Sequence, residues 1–596
     1  MYLLFFIYLL PLLGFSSAAV LPEADHAGKA LAARQTSTST TATSTNPPDS
    51  QCTNGPFTRL CWGNGFSAST DYDVSWPNTG VIRSYQLTIT NTTMAPDGHP
   101  RLVMAINGQY PGPTIIANWG DTLKITVTNN LQSNGTSMHW HGVRQWHSNQ
   151  MDGTNGVTEC PLAPGQSRTY TFLCTQYGTT WYHSHYSDQY TDGVVGTIII
   201  NGPATSNYDI DLGTLAITDW YYTPAFTLAP LLASGALRGA PPGNNVLING
   251  TNVNSTGGGQ YHVNTITSGK RYRVRIVNTA TADGYKVSLD GHPFTVISAD
   301  FVPIRPFTTS WLFVGIGQRY DVVIFANQPI SSYWFHAVYQ APCGNNLNTN
   351  AVSIFTYTGA NSTIPATGRN NTPPSTDCND PNSSLVPYWK SNVTQWTTVP
   401  ASSNLTVSLA IVQNANNQTN VQWNLNFTSI AVAWDKPTLQ YVIDGNTSYP
   451  KSLNIIELPN GNTWSFWLVQ EVAGGPAPGT PHPIHLHGHD FYVLGAGVGF
   501  FSDPTTLNYN NPPRRDVAML PAQGYLVLAF LTDNPGAWLF HCHIAWHIQL
   551  GLGAQFLEQK NQITSTLNLG TDWQNECKTW DSYYSHAMYP EMDSGL

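Results

Sequence analysis

Residues 541–552 read HCHIAWHIQLGL. In an extended strand successive side chains point to opposite faces, so residues i and i+2 share one face. His541 and His543 therefore look one way and Cys542 the other. One strand can hold two separate centres, joined through adjacent backbone. On the thiol side, His547 lies five residues on and can reach back around a turn. His482, from an upstream motif, can complete the set. Two imidazoles and one thiolate in trigonal array make the blue-copper electron-transfer arrangement. Structural zinc patterns fit a single thiolate among many imidazoles poorly.

Three more motifs share this form. They are His139-Trp140-His141-Gly142, His183-Ser184-His185, and His482-Pro483-Ile484-His485-Leu486-His487-Gly488-His489. With the first, they hold eleven of the eighteen histidines. Each His-x-His pair sets two imidazoles side by side on one strand face. Four such pairs can bring eight imidazoles to one place, a donor set that suits copper, zinc, iron or nickel. Two motifs fall early in the chain and two late, so the site has to be assembled from distant segments.

The surrounding sequence is all-β. "SYQLTIT", "TLKITVTNN", "RYRVRIVNTA", "RYDVVIFAN", "NLTVSLAI" and "GYLVLAFLTD" are short runs rich in Val, Ile, Thr and Tyr, bounded by Gly, Pro and Asn. They fall into three sets, which predicts three successive β-sandwiches or barrels at 51–205, 206–360 and 401–560. Residues 361–400 are rich in Pro, Asn, Ser and Thr and are expected to form a long surface connection. A tail follows at 561–596, helical near Trp573. The near-continuous apolar run Tyr2–Phe15, followed by small residues, predicts a signal peptide over 1–19. The Ser/Thr-rich stretch 20–50 is expected to be a propeptide or loose arm.

Charged residues make up only 10% of the chain and the formal net charge is −10, which argues against a nucleic-acid partner. No later apolar run is long enough for a membrane helix. Sequons at Asn91, Asn134, Asn249, Asn254, Asn361, Asn370, Asn382, Asn392, Asn404, Asn417, Asn426 and Asn446 fit a secreted, extracellular glycoprotein. Eight cysteines in an exported chain suggest disulfides. With Cys542 set aside, at least one of the remaining seven is unpaired.

The four motifs, in this order and in the settings "HWHG", "WYHSH", "HPIHLHGH" and "HCHIAWHIQLGL", resemble the copper-binding signatures of multicopper oxidases, and ascomycete laccases most closely. The resemblance covers Cys52 to the end and implies three cupredoxin-like Greek-key domains. It implies four copper ions. His482, Cys542 and His547 would hold a type 1 copper, and His139 and His485 a type 2 copper. His141, His183 and His543 would hold one type 3 copper, and His185, His487 and His541 the other. His489 has no ligand role in that pattern. Leu552 stands at the axial position of the type 1 site, where a side chain that cannot coordinate favours Cu(I). Asp283 resembles the carboxylate that accepts the phenolic proton, and Asp152 the acid that delivers protons during O2 reduction. The resemblance also implies disulfides Cys52–Cys61, Cys160–Cys577 and Cys343–Cys378, with Cys174 a buried free thiol. Asp593-Ser594-Gly595-Leu596 resembles a C-terminal plug at the oxygen-reducing cluster.

The implied activity is oxidation of small phenolic substrates coupled to reduction of O2 to water, by a monomer with dimerisation left open. Lignin breakdown, pigment synthesis and detoxification are equally compatible tasks. A ferroxidase-like metal oxidase would need an acidic cluster at the type 1 site, and a non-catalytic copper-binding protein would tolerate loss of a cluster histidine. The sequence shows neither feature.

Overall fold

The computed structural model describes residues 52–237, 239–413, 419–471 and 479–596. The expected leader at 1–19, the arm at 20–50 and the Asn417 sequon lie outside these residues. Among the described residues no helix is long and apolar enough to cross a membrane.

Six large sheets form three consecutive pairs. The first pair has four strands in each sheet. One sheet runs Arg101–Ile106, Ile82–Met94, Thr122–Asn129, Ser167–Leu173, and the other runs Gly112–Asn118, Val195–Asn201, Gly178–His183, His139–Trp140. The second pair lies between Ile210 and Tyr357, the third between Asn404 and Glu558, and each has a six-stranded and a five-stranded sheet. Strand for strand, the second and third pairs have the same spatial order. Ile82–Met94 pairs in parallel with Thr122–Asn129, Ile210–Trp220 with Arg271–Asn278, and Asn404–Gln413 with Trp464–Glu471. Parallel neighbours need crossover connections, so these are not simple meanders.

Burial follows the alternation. In Thr122–Asn129, Leu123, Ile125 and Val127 point into the first core while Lys124 is exposed. Strand Gly536–Cys542 is buried on both faces. Trp538, Phe540 and Cys542 pack into the core of the third sandwich. Ala537 and Leu539 face the other way, against Val157 of the first region and Trp573 and Trp580 of the tail. This strand thus carries His541 out of its own sandwich and toward the histidines of the first.

Two segments differ from expectation or sharpen it. The 361–400 connection has no strand, yet Leu385, Trp389, Val393 and Trp396 are buried. Its apolar side chains are spaced too irregularly to show as a packed element in sequence. The tail contains a helix, Thr571–Tyr584, with Trp573 and Trp580 buried, and Cys577 in it is bonded to Cys160. The other disulfides are Cys52–Cys61 and Cys343–Cys378, leaving Cys174 and Cys542 as buried free thiols.

Candidate metal centre

The two late motifs meet by strand pairing. Strand His482–Leu486 runs antiparallel to Gly536–Cys542, with Ile484 opposite Cys542 and His485 opposite His541. Alternation then sets His482 on the thiol side, and His485 and His487 on the imidazole side. In the first region, His139 lies opposite His183 across strands His139–Trp140 and Gly178–His183. His141 and His185 follow just beyond those strands.

The side chains gather into buried groups. Cys542 Sγ lies 3.6 Å from Nδ1 of both His482 and His547, and those two nitrogens are 3.2 Å apart. His547 comes from the short helix Ala545–Gln549, the turn anticipated after the strand. On the opposite side, His543 Nε2 is 3.2 Å from His141 Nδ1, and His487 Nε2 is 3.3 Å from His541 Nε2. Two nitrogens bound at about 2.0 Å to one tetrahedral metal ion would sit roughly 3.3 Å apart. Potential ligand atoms in the sets His185–His487–His541, His139–His141–His183 and His139–His485–His487 lie within 4.8 Å of one another.

Orientation is fixed from behind. Nδ1 of His139 lies 2.8 Å from the Asp152 carbonyl oxygen, that of His485 2.8 Å from the Asp516 carbonyl oxygen, and that of His183 3.0 Å from the Ser184 carbonyl oxygen. Nδ1 of His541 lies 2.9 Å from the Cys542 carbonyl oxygen. Such contacts set Nδ1 as the donor and turn the Nε2 lone pair inward. Nε2 of His139, His183, His185 and His485 are buried without a partner among the described residues. Buried polar atoms are nearly always satisfied, so this cluster of orphaned lone pairs fits bound cations.

Electrostatics agree. Burial, reinforced by neighbouring imidazoles, holds His141, His183, His185, His485, His487, His543 and His547 well below the usual histidine range. Burial lowers His482 to about 3 and His541 to about 4. These rings are neutral at pH 7, the form that binds metal. Burial pushes the Cys542 thiol up, so a coordinated cation is what would draw off its proton.

Around these groups, Asp152 is buried, and its Oδ2 accepts from His487 Nδ1 at 2.8 Å and from Thr154 Oγ1 at 2.7 Å. It thereby orients two rings, through its side chain and its carbonyl. Leu552 is buried, and its carbonyl accepts the Cys542 N–H at 3.1 Å. Trp423 packs against His547 and His482, with ring centroids 4.4 and 5.1 Å away. Asp283 lies outside the imidazole groups. It is buried, Oδ1 accepting the Asn345 N–H at 2.7 Å and Oδ2 accepting from Asn346 Nδ2 at 2.8 Å and the Tyr285 hydroxyl at 3.3 Å. Its loop docks on the thiol-side turn, where the Ala545 N–H meets the Thr281 carbonyl at 2.9 Å. His489 pairs with Glu558 at 3.0 Å. Leu596 lines a small cavity, with room for about one water, together with His183, His185, His541 and His543.

Asp516 was not anticipated. Its Oδ1 lies 3.3 Å from His141 Nε2, and both its oxygens accept from Arg319 at 2.5 and 2.7 Å. Three charged residues, Arg514-Arg515-Asp516, directly before an apolar strand in a chain so poor in charge were the available signal.

Three multicopper oxidase family models match the chain, at residues 88–205, 211–360 and 390–562. Laccase-3 of Botryotinia fuckeliana is 53% identical over 460 residues, covering 75% of this chain and 100% of that protein. Laccase-2 of Podospora anserina is 46% identical over 560 residues, covering 90% of this chain and 89% of that one. The crystal structure of laccase from Botrytis aclada matches with a TM-score of 0.84 at 40% identity, covering 91% of this chain and 100% of that one. Its neighbours share the cupredoxin-like architecture of paired β-sheets.

Proposed function

Because this chain belongs to the multicopper oxidase family, a copper-dependent class of oxidoreductases, we propose that it works as a laccase, taking one electron from each of four phenols and reducing one O2 to two waters. The single observation that carries this reading is the split at residues 541–543: the thiol joins one buried ligand group while its two neighbours join the other.

Cupredoxin-like units at 51–205, 206–360 and 401–560 form the body of the protein. His482, Cys542 and His547 would hold a type 1 copper, and His139 and His485 a type 2 copper. His141, His183 and His543 would hold one type 3 copper, and His185, His487 and His541 the other. When bound, these four ions supply one-electron acceptance from the phenol and the four-electron reduction of O2.

The chain's own residues do the rest. Cys542 and its peptide links to His541 and His543 form the shortest covalent path between the two ligand groups. His482 lies where a phenol docks. Asp283 accepts the phenolic proton as the electron leaves, which avoids a radical cation. Asp152 hands protons toward reduced oxygen and keeps His139 and His487 in place. Leu552 has no donor atom to offer a copper held by His482, Cys542 and His547, which would favour Cu(I) there. Burial around all these groups excludes water and preserves the neutral imidazoles. Residues 593–596 close the cavity beside His183 and His543. Secretion and glycosylation complete the proposal, supported by the leader-like N-terminus and the sequons.

Oxygen uptake by the purified, copper-loaded protein tests it, with a methoxyphenol and Fe(II) as competing donors. Fast uptake with the phenol, slow uptake with iron and none in Cys542→Ser is the expected result. Preference for iron overturns it in favour of a metal oxidase. Asp283→Asn should depress the phenol reaction most above the carboxyl's pKa, which burial raises, and least at low pH, where the native carboxyl is itself protonated; an unchanged pH profile would remove Asp283 from the proposal.

A further inference from the structure

Asp219 lies one residue before the end of strand Ile210–Trp220 and is buried. Its two oxygens accept the N–H groups of Thr281 and Ala282, each at 2.7 Å. Those amides come just before Asp283, so one carboxylate clamps the loop that presents the other. The loop's far side is held where the Thr281 carbonyl accepts the Ala545 N–H at 2.9 Å. The two acids also share their surroundings. The Tyr221 hydroxyl donates to Asp219 at 3.4 Å and the Tyr285 hydroxyl to Asp283 at 3.3 Å. A Cβ added at Gly243 would lie 2.3 Å from Asn346 Nδ2, which donates to Asp283, and 3.5 Å from Asp219 Cβ.

No cation offsets this pair. Neither carboxylate has an ion-pair partner among the described residues. Arg101, which bonds the Tyr221 carbonyl at 2.5 Å, is committed to Asp192, and Lys286 to Asp377. Tyr221, Tyr285, Tyr190 and Tyr110 are the other titratable groups around Asp219, and burial pushes all four phenols up, so they stay neutral. Burial, and then the neighbouring Asp283, raise Asp219 to about 7 against an ordinary 3.8, and burial raises Asp283. Two neighbouring carboxylates without a counter-ion are costly to ionise together, so they lose their protons in two steps that belong to the pair.

We propose that Asp219 is a positioning residue for phenol oxidation: it fixes the loop that presents Asp283 and shares a single proton with that carboxylate near neutral pH. This rests on the reading of Asp283 as the acceptor of the phenolic proton. While the pair holds one proton, Asp283 can take the phenol's proton only when the shared one sits on Asp219. Once Asp219 is ionised, its charge makes Asp283 the stronger base and the phenol reaction faster.

The test compares the full, copper-loaded protein with Asp219→Asn and Asp283→Asn. One readout is the infrared carbonyl band of protonated buried carboxyls, followed with pH. The other is the ratio of methoxyphenol to hexacyanoferrate(II) oxidation rates. The second donor has no proton to lose, so steps common to both donors cancel. The native protein should keep the band up to about pH 7, and its ratio should rise through the same pH. Asp219→Asn should lose the band about one pH unit or more lower, and its ratio should lack the rise near 7. Where Asp219→Asn does not fold, Asp283→Asn decides the sharing, because its band should likewise be lost at lower pH. A band that persists to pH 7 in Asp283→Asn would show two independent carboxyls and overturn the proposal. So would a native protein without the band, or an Asp219→Asn ratio that falls evenly at every pH with its step in place. In each of these cases the reading of Asp283 itself survives if Asp283→Asn still alters the phenol profile, and falls if it does not.

Discussion

Cys542 and its two neighbours show how much can rest on side-chain alternation. Three consecutive residues reach two ligand groups because a strand turns each one half a revolution from the last. That was legible in sequence, as were His547 and the pairing role of the His-x-His motifs, since all depend on local geometry. Asp516 was not legible, because its link to His141 spans 375 positions of chain and exists only once the third sandwich meets the first. Asp152 lies between these cases: a residue expected to handle protons also proves to be the common anchor of His139 and His487. Asp152→Asn should therefore do two things. It should lower copper occupancy at the imidazole cluster by about 10- to 100-fold in affinity, as loss of a ligand's supporting hydrogen bond does. It should also slow O2 reduction with little change in the visible band of the thiol site. Copper analysis together with absorption spectra checks both, and a uniform loss of both centres would mean the residue serves folding instead.

Among the elements, the second and third sandwiches share one strand order, yet only the third carries ligands. The strands of the middle unit that match His482–Leu486 and Gly536–Cys542 are Tyr285–Leu289 and Ser332–Tyr339, with no His-x-His in either. The periodic runs made three β units readable, but not this equivalence, because strand order is set by long-range pairing. The tail helix is legible near Trp573, and its Cys160–Cys577 tie to the first region follows from the resemblance; the ion pairs that reinforce that tie are not legible. Arg168 on strand Ser167–Leu173 sits between Glu159, at 3.1 Å, and Glu576 of the tail helix, with which it also pairs. One guanidinium cannot fully offset two buried carboxylates. Burial raises Glu159 to about 7 and Glu576 to about 8, against ordinary values of 4.5. A carboxyl whose folded pKa exceeds its unfolded one binds more protons folded than unfolded across that interval, so stability falls as pH rises through it. Melting temperature should decline from about pH 5 to 8, and Glu576→Gln should flatten that decline. An unchanged slope in the variant would show that the decline has another origin.

At the level of the whole molecule, the ligand groups join the ends of the chain. His139, His141, His183 and His185 come from the first sandwich and the remainder from the third, with the middle unit's Arg319 braced against Asp516. Bound cations would thus hold distant segments together, and their removal leaves buried Nε2 atoms unsatisfied. Chelation of copper should lower the melting temperature by an amount that grows with the free copper concentration of the reference sample. It should also raise hydrogen exchange at strands His139–Trp140 and His482–Leu486 together. A copper-free protein of equal stability would mean that the site is preformed without need of the metal. The most direct test of the central claim compares copper content, visible absorption and electron paramagnetic resonance of the copper-loaded protein and Cys542→Ser. The account predicts four ions in the first, and in the second the loss of the intense thiolate band and of the type 1 signal with the cluster signals retained. Retention of the thiolate band, or collapse of every copper signal at once, would contradict the division of residues 541–543 between two centres.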